Sequence, residues 1–188
     1  MSIRVSTVIL AAGASARYGA PKQLALYNGV SLLQRVVDAS IASRAYSTSV
    51  VLGANAGKIE PILEHRRITK IFNPDWSEGI ASSIRAGVKS LTPDIDAVLF
   101  LLVDQPSVST ELIDSILSTS VSTGQSMVAC EYGGTVGVPA LFRRDCFPKL
   151  LALSGDRGAR LLLESDPGSV ARVPFPQGVV DIDAPEGE

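Results

Sequence analysis

Apolar segments rich in β-branched residues alternate along this chain with segments of helical periodicity, and this alternation limits the possible folds more than any other feature. The apolar segments are bounded by Gly, Pro, Asn or Asp, which is typical of strands. They span residues 5–10, 49–52, 68–72, 97–103, 127–129 and 179–182. The helical segments place apolar residues on one face behind a serine N-cap. They carry Leu32, Leu33, Val36, Val37 and Ile41 after Ser31, and Leu112, Ile113, Ile116 and Leu117 after Ser109.

Strands that are apolar throughout favour a mostly parallel sheet, because strands with one solvated face alternate polar and apolar residues. Helices between parallel strands then cover both faces of the sheet. We therefore expect an α/β fold, a three-layer α/β/α sandwich with a mostly parallel, Rossmann-like sheet. Ligands bind beyond the carboxyl ends of the strands in such sheets. The residues after Leu10, Leu52, Phe72 and Val103 are thus expected to share one crevice.

Length and composition fit a single compact domain over residues 1–188, with 46% hydrophobic residues. Residues 133–139 are expected to loop out before another short strand, and residues 174–178 to turn before the last strand. Cys130 and Cys146 lack the neighbours of a zinc site or a disulfide framework, so we interpret them as buried, inert thiols. His65, the only histidine, is interpreted as a surface or capping residue.

Charge and hydropathy argue against two classes of partner. Seventeen Lys and Arg against nineteen Asp and Glu give a net charge of −2, which provides no broad basic field for nucleic acid. The longest apolar run, residues 97–103, is far shorter than the roughly 20 residues that cross a bilayer. Arg4, the apolar run from Val5 and residues 14–16 mimic a signal peptide, but Ser6 and Thr7 interrupt that run. We expect a cytoplasmic protein with no membrane partner.

The segment 10–24 follows the first predicted strand and is dominated by small residues. Gly and Ala let backbone N–H groups approach a phosphate and form an anion-binding nest. Arg17 and Lys22 add positive charge that can straddle a triphosphate as pyrophosphate leaves. A flexible surface turn is the alternative. The segment has neither a Walker A nor a dinucleotide-binding pattern. Its predicted nucleotide-binding residues are Leu10, Ala11, Ala12, Gly13, Ser15, Arg17 and Lys22.

This segment resembles the signature of the MobA-like nucleotidyltransferases, particularly the molybdenum cofactor cytidylyltransferases, and the resemblance covers the whole chain. The Leu-Ala-Ala-Gly start at 10–13 and the Pro-Lys-Gln-Leu end at 21–24 are similar to the cytidylyl-transferring branch rather than the guanylyl-transferring one. The resemblance implies a nucleotidyltransferase fold of the Rossmann type and CTP, not GTP, as the donor.

Asp104 follows the strand 97–103 and is expected to face the crevice. A carboxylate suits Mg²⁺, which uses one or two carboxylates plus substrate phosphates. A helix cap is the alternative, but the resemblance assigns the metal role to this position. The resemblance also extends to the end of the chain, where Asp183 is a candidate second metal ligand and a plain strand end is an equal alternative. Ala184 and Gly187 stand where Thr and Asp are usual, which leaves open an altered substrate or a reduced activity.

Two further segments carry binding predictions that depend on the resemblance. Asn73, Gly79 and Ser82 are predicted base or ribose contacts, although a helix-capping segment explains the serine equally well. Gly53, directly after a predicted strand, is placed with them. The predicted acceptor pocket comprises Gly137, Pro139, Asp156, Arg157 and Arg160. Its arginines suit a phosphate, but arginines at a helix start often face solvent.

The expected reaction is transfer of CMP from CTP to molybdopterin or molybdenum cofactor with release of pyrophosphate, with Arg17, Lys22 and Asp104 as catalytic residues. The acceptor phosphate attacks the α-phosphorus, and positioning and charge neutralisation dominate. One alternative is a nucleotidyltransferase that uses a sugar or polyol phosphate. Another is a non-catalytic chaperone that holds the cofactor for a molybdenum hydroxylase partner. Some family relatives are described as oxidoreductases, but the dinucleotide fingerprint is missing here.

Overall fold

The computed structural model describes residues 3–15 and 18–180. Its strands, in chain order, are β1 Val5–Ala11, β2 Leu26–Tyr27, β3 Val30–Ser31, β4 Ser47–Leu52, β5 Thr69–Phe72, β6 Ala97–Leu102, β7 Met127–Tyr132, β8 Thr135–Arg143 and β9 Val170–Pro174. Its α-helices are α1 Leu32–Ala42, α2 Ala56–Ile59, α3 Ile80–Lys89, α4 Thr110–Thr123, α5 Phe147–Leu151 and α6 Arg160–Ser165.

Seven strands form one central sheet in the order β5-β4-β1-β6-β8-β7-β9. Strands β5, β4, β1 and β6 pair in parallel, and β9 pairs in parallel with β7. Only β8 runs against its neighbours β6 and β7 within this sheet. The expected α/β sandwich with a mostly parallel sheet is therefore confirmed. The short strands β2 and β3 form a separate antiparallel ribbon.

The helix predictions from apolar spacing and serine caps are confirmed for α1 and α4. The Ser31 side chain accepts a hydrogen bond from the Gln34 backbone N–H at 3.3 Å, and Ser109 accepts one from Leu112 at the same distance. Helix α4 ends at Gly124, whose φ of 68° is the left-handed conformation that glycine adopts without strain. Ile41 departs from the predicted apolar face, because its side chain is exposed.

The sheet has a buried core on each face, which gives three layers. One core contains the apolar side chains of α1 and α4, such as Leu33 and Ile116, packed on alternate residues of β1 and β6. The other contains Ile84 of α3 and Leu162 of α6, packed with Phe100 and Phe142. Within the described ranges, no helix has both the length and the apolar composition needed to cross a membrane.

Two predictions about the last third of the chain are wrong. Residues 133–139 do not loop out: only Gly133 and Gly134 make the turn, with φ of 56° and 75°, and β8 begins at Thr135. The last strand is also misplaced. Val179 lies in a 3-10 turn and Val180 has no regular structure, whereas residues 170–174 pair with β7. Residues 181 and 182 lie outside the described part of the chain.

Candidate functional site

Three adjoining pockets lie at the carboxyl end of the parallel strands, and all three share Leu10 of β1 and Leu102 of β6. The serine pocket, about 360 Å³, is lined by Ala12, Gly13, Ala14, Trp76, Ser77, Gly79, Ile80, Ser83 and Asp156. The aspartate pocket, about 220 Å³, is lined by Gly13, Ser15, Lys22, Gln23, Val103 and Asp104. The tyrosine pocket, about 200 Å³, is lined by Ile80, Ile84, Phe100, Tyr132, Gly137, Val138, Gly158, Ala159 and Arg160. The crevice predicted from strand order is therefore present for the residues after Leu10 and Val103, whereas Gly53 and Asn73, which follow Leu52 and Phe72, line none of the three pockets.

The loop after β1 is held in shape by Gln23, a buried side chain. Its amide group donates hydrogen bonds to the backbone oxygens of Ala11 at 2.9 Å and Gly13 at 3.0 Å. Ser15 completes the arrangement, because its hydroxyl donates to the Gln23 carbonyl oxygen and accepts from the Lys22 backbone N–H. A Cβ on Gly13 would meet nothing within 4 Å, so this part of the loop borders open space in the cleft. Gln23 thus fixes a loop with room for a ligand against its backbone.

Lys22 and Asp104 meet in the aspartate pocket, although 81 residues separate them in the chain (104 − 22 − 1). The Lys22 ammonium lies 3.3 Å from one carboxylate oxygen of Asp104. The other carboxylate oxygen, Oδ1, is buried and has no hydrogen-bond partner among the described residues. A buried carboxylate oxygen without a partner is costly unless something binds it. This oxygen is thus available to a ligand of the opposite charge.

The donor set around Asp104 fits a Mg²⁺ ion that takes most of its ligands from phosphates and water. No group of three or more His, Cys, Asp or Glu side chains that could hold a metal occurs within residues 3–15 and 18–180. A site built only from protein ligands is therefore not formed by those residues, and Asp104 is the carboxylate that lines the aspartate pocket. The predicted second ligand, Asp183, and the predicted phosphate contact Arg17 lie outside the described residues.

The serine pocket contains part of the predicted nucleotide-binding segment. Gly79 lines it and has a φ of 104°; a Cβ there would lie 2.6 Å from the Gly155 backbone oxygen. Ser83, beside Ser82 at the start of α3, lines the pocket, whereas the predicted contacts Asn73 and Ser82 do not. The Asn73 amide, 2% exposed, donates to the hydroxyl oxygens of Ser82 at 2.9 Å and Ser83 at 3.1 Å. Asn73 therefore connects the end of β5 to the start of α3.

The predicted acceptor residues are split between two pockets and the surface. Gly137 and Arg160 line the tyrosine pocket, whereas Asp156 lines the serine pocket beside Gly79. Arg160 is bound to the Glu164 carboxylate at 2.7 Å and to the Thr135 hydroxyl at 2.9 Å. Arg157 is exposed and lines none of the three pockets.

Three other predicted site residues lie behind the pocket walls. Ala11, the last residue of β1, is buried in the core between the sheet and helices α1 and α4. Pro139 is buried in β8 after a cis peptide bond. A Cβ on Gly53 would lie 2.6 Å from the Ala12 backbone oxygen and 2.7 Å from the Trp76 Cβ. Gly53 therefore permits close packing between the loop after β1 and the Trp76 turn, without itself lining a pocket.

Gln105 and Tyr132 form part of the site that sequence reasoning missed. The Gln105 amide donates to the Val138 backbone oxygen at 2.9 Å, and the Tyr132 hydroxyl donates to the same oxygen at 2.9 Å. The position of Gln105 beside Asp104 was the one available signal. Nothing in the local sequence indicates that Tyr132 and Val138 face this position, because the hairpin that brings them here was predicted as a loop.

The two cysteines take no part in the cleft. Cys130 and Cys146 are both buried and unpaired. Burial raises the pKa of Cys130 from 9.0 to about 12. Burial also raises the pKa of Cys146, to about 11, with a smaller contribution from the negative charge of Asp145. The interpretation of both as buried thiols is confirmed.

The fold and the cleft together define an α/β protein with a cation and a carboxylate at the carboxyl edge of its sheet. Residues 7–171 match the family described as the MobA-like NTP transferase domain, and the chain belongs to this family of nucleotidyltransferases. The family resemblance of segment 10–24 is thereby confirmed.

Relatives and solved structures agree with this membership. The chain is 32% identical to nicotine blue oxidoreductase of Paenarthrobacter nicotinovorans, over 87% of this chain and 83% of that protein. It is 28% identical to purine catabolism protein PucB of Bacillus subtilis, over 95% and 91%. It is 32% identical to a 2-C-methyl-D-erythritol 4-phosphate cytidylyltransferase of Streptomyces avermitilis, over 61% and 48%. The structure of the Rv0371c homologue of Mycobacterium sp. strain JC1 superposes with a TM-score of 0.84 at 27% identity, covering 96% of this chain and 91% of that one.

Proposed function

We propose that this protein transfers the CMP group of CTP to molybdopterin or the molybdenum cofactor and releases pyrophosphate. One observation carries the proposal: Asp104 presents a buried, unpartnered carboxylate oxygen beside the Lys22 ammonium. This pair lies in the aspartate pocket, which shares Leu10 and Leu102 with the serine pocket and with the tyrosine pocket. A nucleotide and an acceptor bound in those two pockets would then meet beside this carboxylate.

The serine pocket is the proposed site of the nucleoside. Trp76 and Ile80 offer apolar walls for a base, and Ser83 offers a hydroxyl. Because the Ser83 oxygen already accepts from Asn73, its own proton is the group that remains to be donated, for example to a carbonyl oxygen of cytosine. Asn73 and Ser82 act here by holding the start of α3.

The aspartate pocket is the proposed site of the triphosphate. Gly13 and Ser15 place backbone amides beside it, and Lys22 brings a positive charge. Arg17 is assigned to the leaving pyrophosphate with Lys22. Asp104 would hold Mg²⁺, with Asp183 as a second ligand; the ion, when bound, neutralises charge on the phosphates. Lys22 must then exchange part of its contact with Asp104 for contact with phosphate.

The tyrosine pocket is the proposed site of the acceptor ring. Tyr132, Ile80 and Phe100 give it mostly apolar walls, which suit a flat ring better than a polyol rich in hydroxyl groups. Gly137 and Arg160 line this pocket, Pro139 lies behind its wall, and Asp156 lines the adjoining serine pocket; exposed Arg157 is assigned with them to an acceptor phosphate.

The reaction needs no covalent protein intermediate. A terminal phosphate oxygen of the acceptor forms a bond to the α-phosphorus of CTP as the bond from that phosphorus to the bridging oxygen breaks, and pyrophosphate takes the electron pair. Lys22 and Arg17 stabilise the charge on pyrophosphate. No histidine is required, and the single histidine, His65, is exposed and absent from the three pockets.

A nucleotidyltransferase with a polyol phosphate acceptor is the second candidate, favoured by the similarity to the methylerythritol phosphate cytidylyltransferase. Pyrophosphate release should be followed with each of the four ribonucleoside triphosphates, combined with molybdopterin or with 2-C-methyl-D-erythritol 4-phosphate. The proposal predicts release only with CTP and molybdopterin. Release only with the polyol phosphate would replace it by the second candidate.

If pyrophosphate is released with neither acceptor, two further outcomes remain to be tested. Molybdenum cofactor retained in the presence of a chelator would identify a chaperone that serves a molybdenum hydroxylase. Redox turnover of nicotine blue would instead connect the protein to the activity named for its relative from Paenarthrobacter nicotinovorans.

A further inference from the structure

Gln105 is a buried amide placed between the metal-binding carboxylate and the acceptor pocket. It follows Asp104 directly in the chain, and only 4% of its surface is exposed. Its amide nitrogen lies 2.9 Å from the Val138 backbone oxygen and 3.5 Å from the Tyr132 hydroxyl. Both of these partners line the tyrosine pocket. The side chain therefore connects two walls of the cleft that come from distant parts of the chain.

The other end of the same amide is unsatisfied. The carbonyl oxygen of Gln105 is buried and has no hydrogen-bond partner among the described residues. An unpaired buried oxygen lowers stability, and an apolar side chain of similar volume such as methionine would avoid this cost. Stability alone thus does not favour glutamine at this position. What glutamine provides is a pair of N–H donors aimed at the tyrosine pocket.

Tyr132 is fitted closely on its other sides, so a small change at its hydroxyl moves the pocket wall. A Cβ on Gly137 would lie 2.5 Å from the Tyr132 hydroxyl oxygen, and one on Gly178 would lie 2.7 Å from its ring. The ring also packs edge-on against Phe175, with centroids 6.0 Å apart. Gln105 contacts this packed group at the Tyr132 hydroxyl.

We propose that Gln105 is a positioning residue that sets the distance between Asp104 and the acceptor pocket, and so determines acceptor affinity and selectivity. This inference rests on the proposed function, because it assigns the tyrosine pocket to the acceptor. Gln105 does not contact the reacting atoms; it acts through Tyr132 and Val138. Gln23 has the corresponding role on the nucleotide side of the cleft. It is also 4% exposed, and its hydrogen bonds hold the loop after β1.

The two glutamines allow a paired experiment with Gln105→Met and Gln23→Met. KM for CTP and KM for molybdopterin are measured for each variant by pyrophosphate release, together with the midpoint of thermal unfolding. For Gln105→Met we expect KM for molybdopterin to rise about tenfold, the effect of one lost hydrogen bond. KM for CTP should stay at the wild-type value, and the midpoint should be unchanged or higher. For Gln23→Met we expect the opposite result: KM for CTP should rise, and KM for molybdopterin should stay at the wild-type value.

Gln105→Leu provides a second variant if methionine prevents folding. It removes both N–H donors without adding a charge beside Asp104, so it should also raise KM for molybdopterin. A folded Gln105 variant with wild-type KM for molybdopterin would overturn the inference, as would equal increases in both KM values. In those cases wild-type turnover shows that the proposed function survives. Absence of wild-type turnover with molybdopterin would remove the proposed function, and the inference with it.

Discussion

Asp104 and Gln105 are neighbours in the chain, and each has one buried oxygen without a hydrogen-bond partner among the described residues. The physical consequences differ. A carboxylate oxygen carries charge, so it favours a cation and can be satisfied by a metal ion held jointly with phosphate. The Gln105 amide oxygen is part of a neutral dipole, and burying it without a hydrogen bond lowers stability. We attribute its presence to the amide nitrogen of the same group, which orders the neighbouring pocket. Adjacent residues thus bring together the metal and acceptor ends of the proposed reaction.

The sequence indicates the roles of Lys22 and Asp104 better than those of Gln23 and Gln105. Charge after a buried strand points to a specific chemistry. The roles of Gln23 and Gln105 depend instead on which backbone oxygens lie within about 3 Å, and spacing along the chain does not contain that information. For the same reason Asn73, a predicted ligand contact, is found holding two serines.

The buried thiols give a prediction at the scale of single residues. With pKa values raised to about 12 and about 11, Cys130 and Cys146 are protonated at pH 8 in the native protein. The thiolate is the reactive form. Neither cysteine should therefore react with Ellman's reagent at pH 8, and both should react once the protein is unfolded in guanidinium chloride. Rapid reaction of either thiol in the native protein would contradict this burial.

The elements that position the site differ in how far the sequence specifies them. Strands β1, β4 and β6 were predicted to within a few residues, because burial on both faces leaves a strong apolar signal even where Ser and Thr interrupt β1 and β4. The hairpin of β7 and β8 was missed because Gly133, Gly134 and Gly137 resemble a loop. Gly137 instead lies within β8, where a Cβ would collide with the Tyr132 hydroxyl. The glycine that indicated a loop is required by the packing of the pocket.

The junction after β4 gives a prediction at the scale of elements. In Gly53→Ala, the new Cβ would meet the Ala12 backbone oxygen at 2.6 Å and the Trp76 Cβ at 2.7 Å. Backbone must move to relieve these contacts, so the free energy of unfolding should fall by about 1–3 kcal/mol. Because Ala12 and Trp76 both line the serine pocket, the affinity for CTP should fall as well.

Gly57→Ala is the matched control for that substitution. Gly57 lies in α2, and a Cβ there would meet nothing within 4 Å. Alanine favours a helix by up to about 1 kcal/mol over glycine, so this variant should be as stable as the wild type or slightly more stable. Urea denaturation measures both variants. A Gly53→Ala protein as stable as Gly57→Ala would show that the junction is less tightly packed than described.

At the scale of the whole molecule, the order of the strands creates the site. Strands β1 and β6 are adjacent and parallel, so the loop after β1 and the segment after β6 meet at one edge of the sheet. This rule allowed the crevice to be predicted from the sequence. The tyrosine pocket could not be predicted in the same way, because it depends on the reversed strand β8 and on its position between β6 and β7.

The account depends on one claim, that Asp104 and Lys22 bind a metal-associated triphosphate. Calorimetric titration of CTP into the protein tests it directly, with Mg²⁺ or with a chelator, for the wild type and for Asp104→Asn. Asp114→Asn is the control, since Asp114 pairs with Arg44 through a surface of α4 that lines none of the three pockets. We expect Mg²⁺ to strengthen CTP binding at least about tenfold in the wild type and the control, and this gain to disappear in Asp104→Asn. Equal CTP affinity with and without Mg²⁺ in the wild type, or a full gain in Asp104→Asn, would contradict the account.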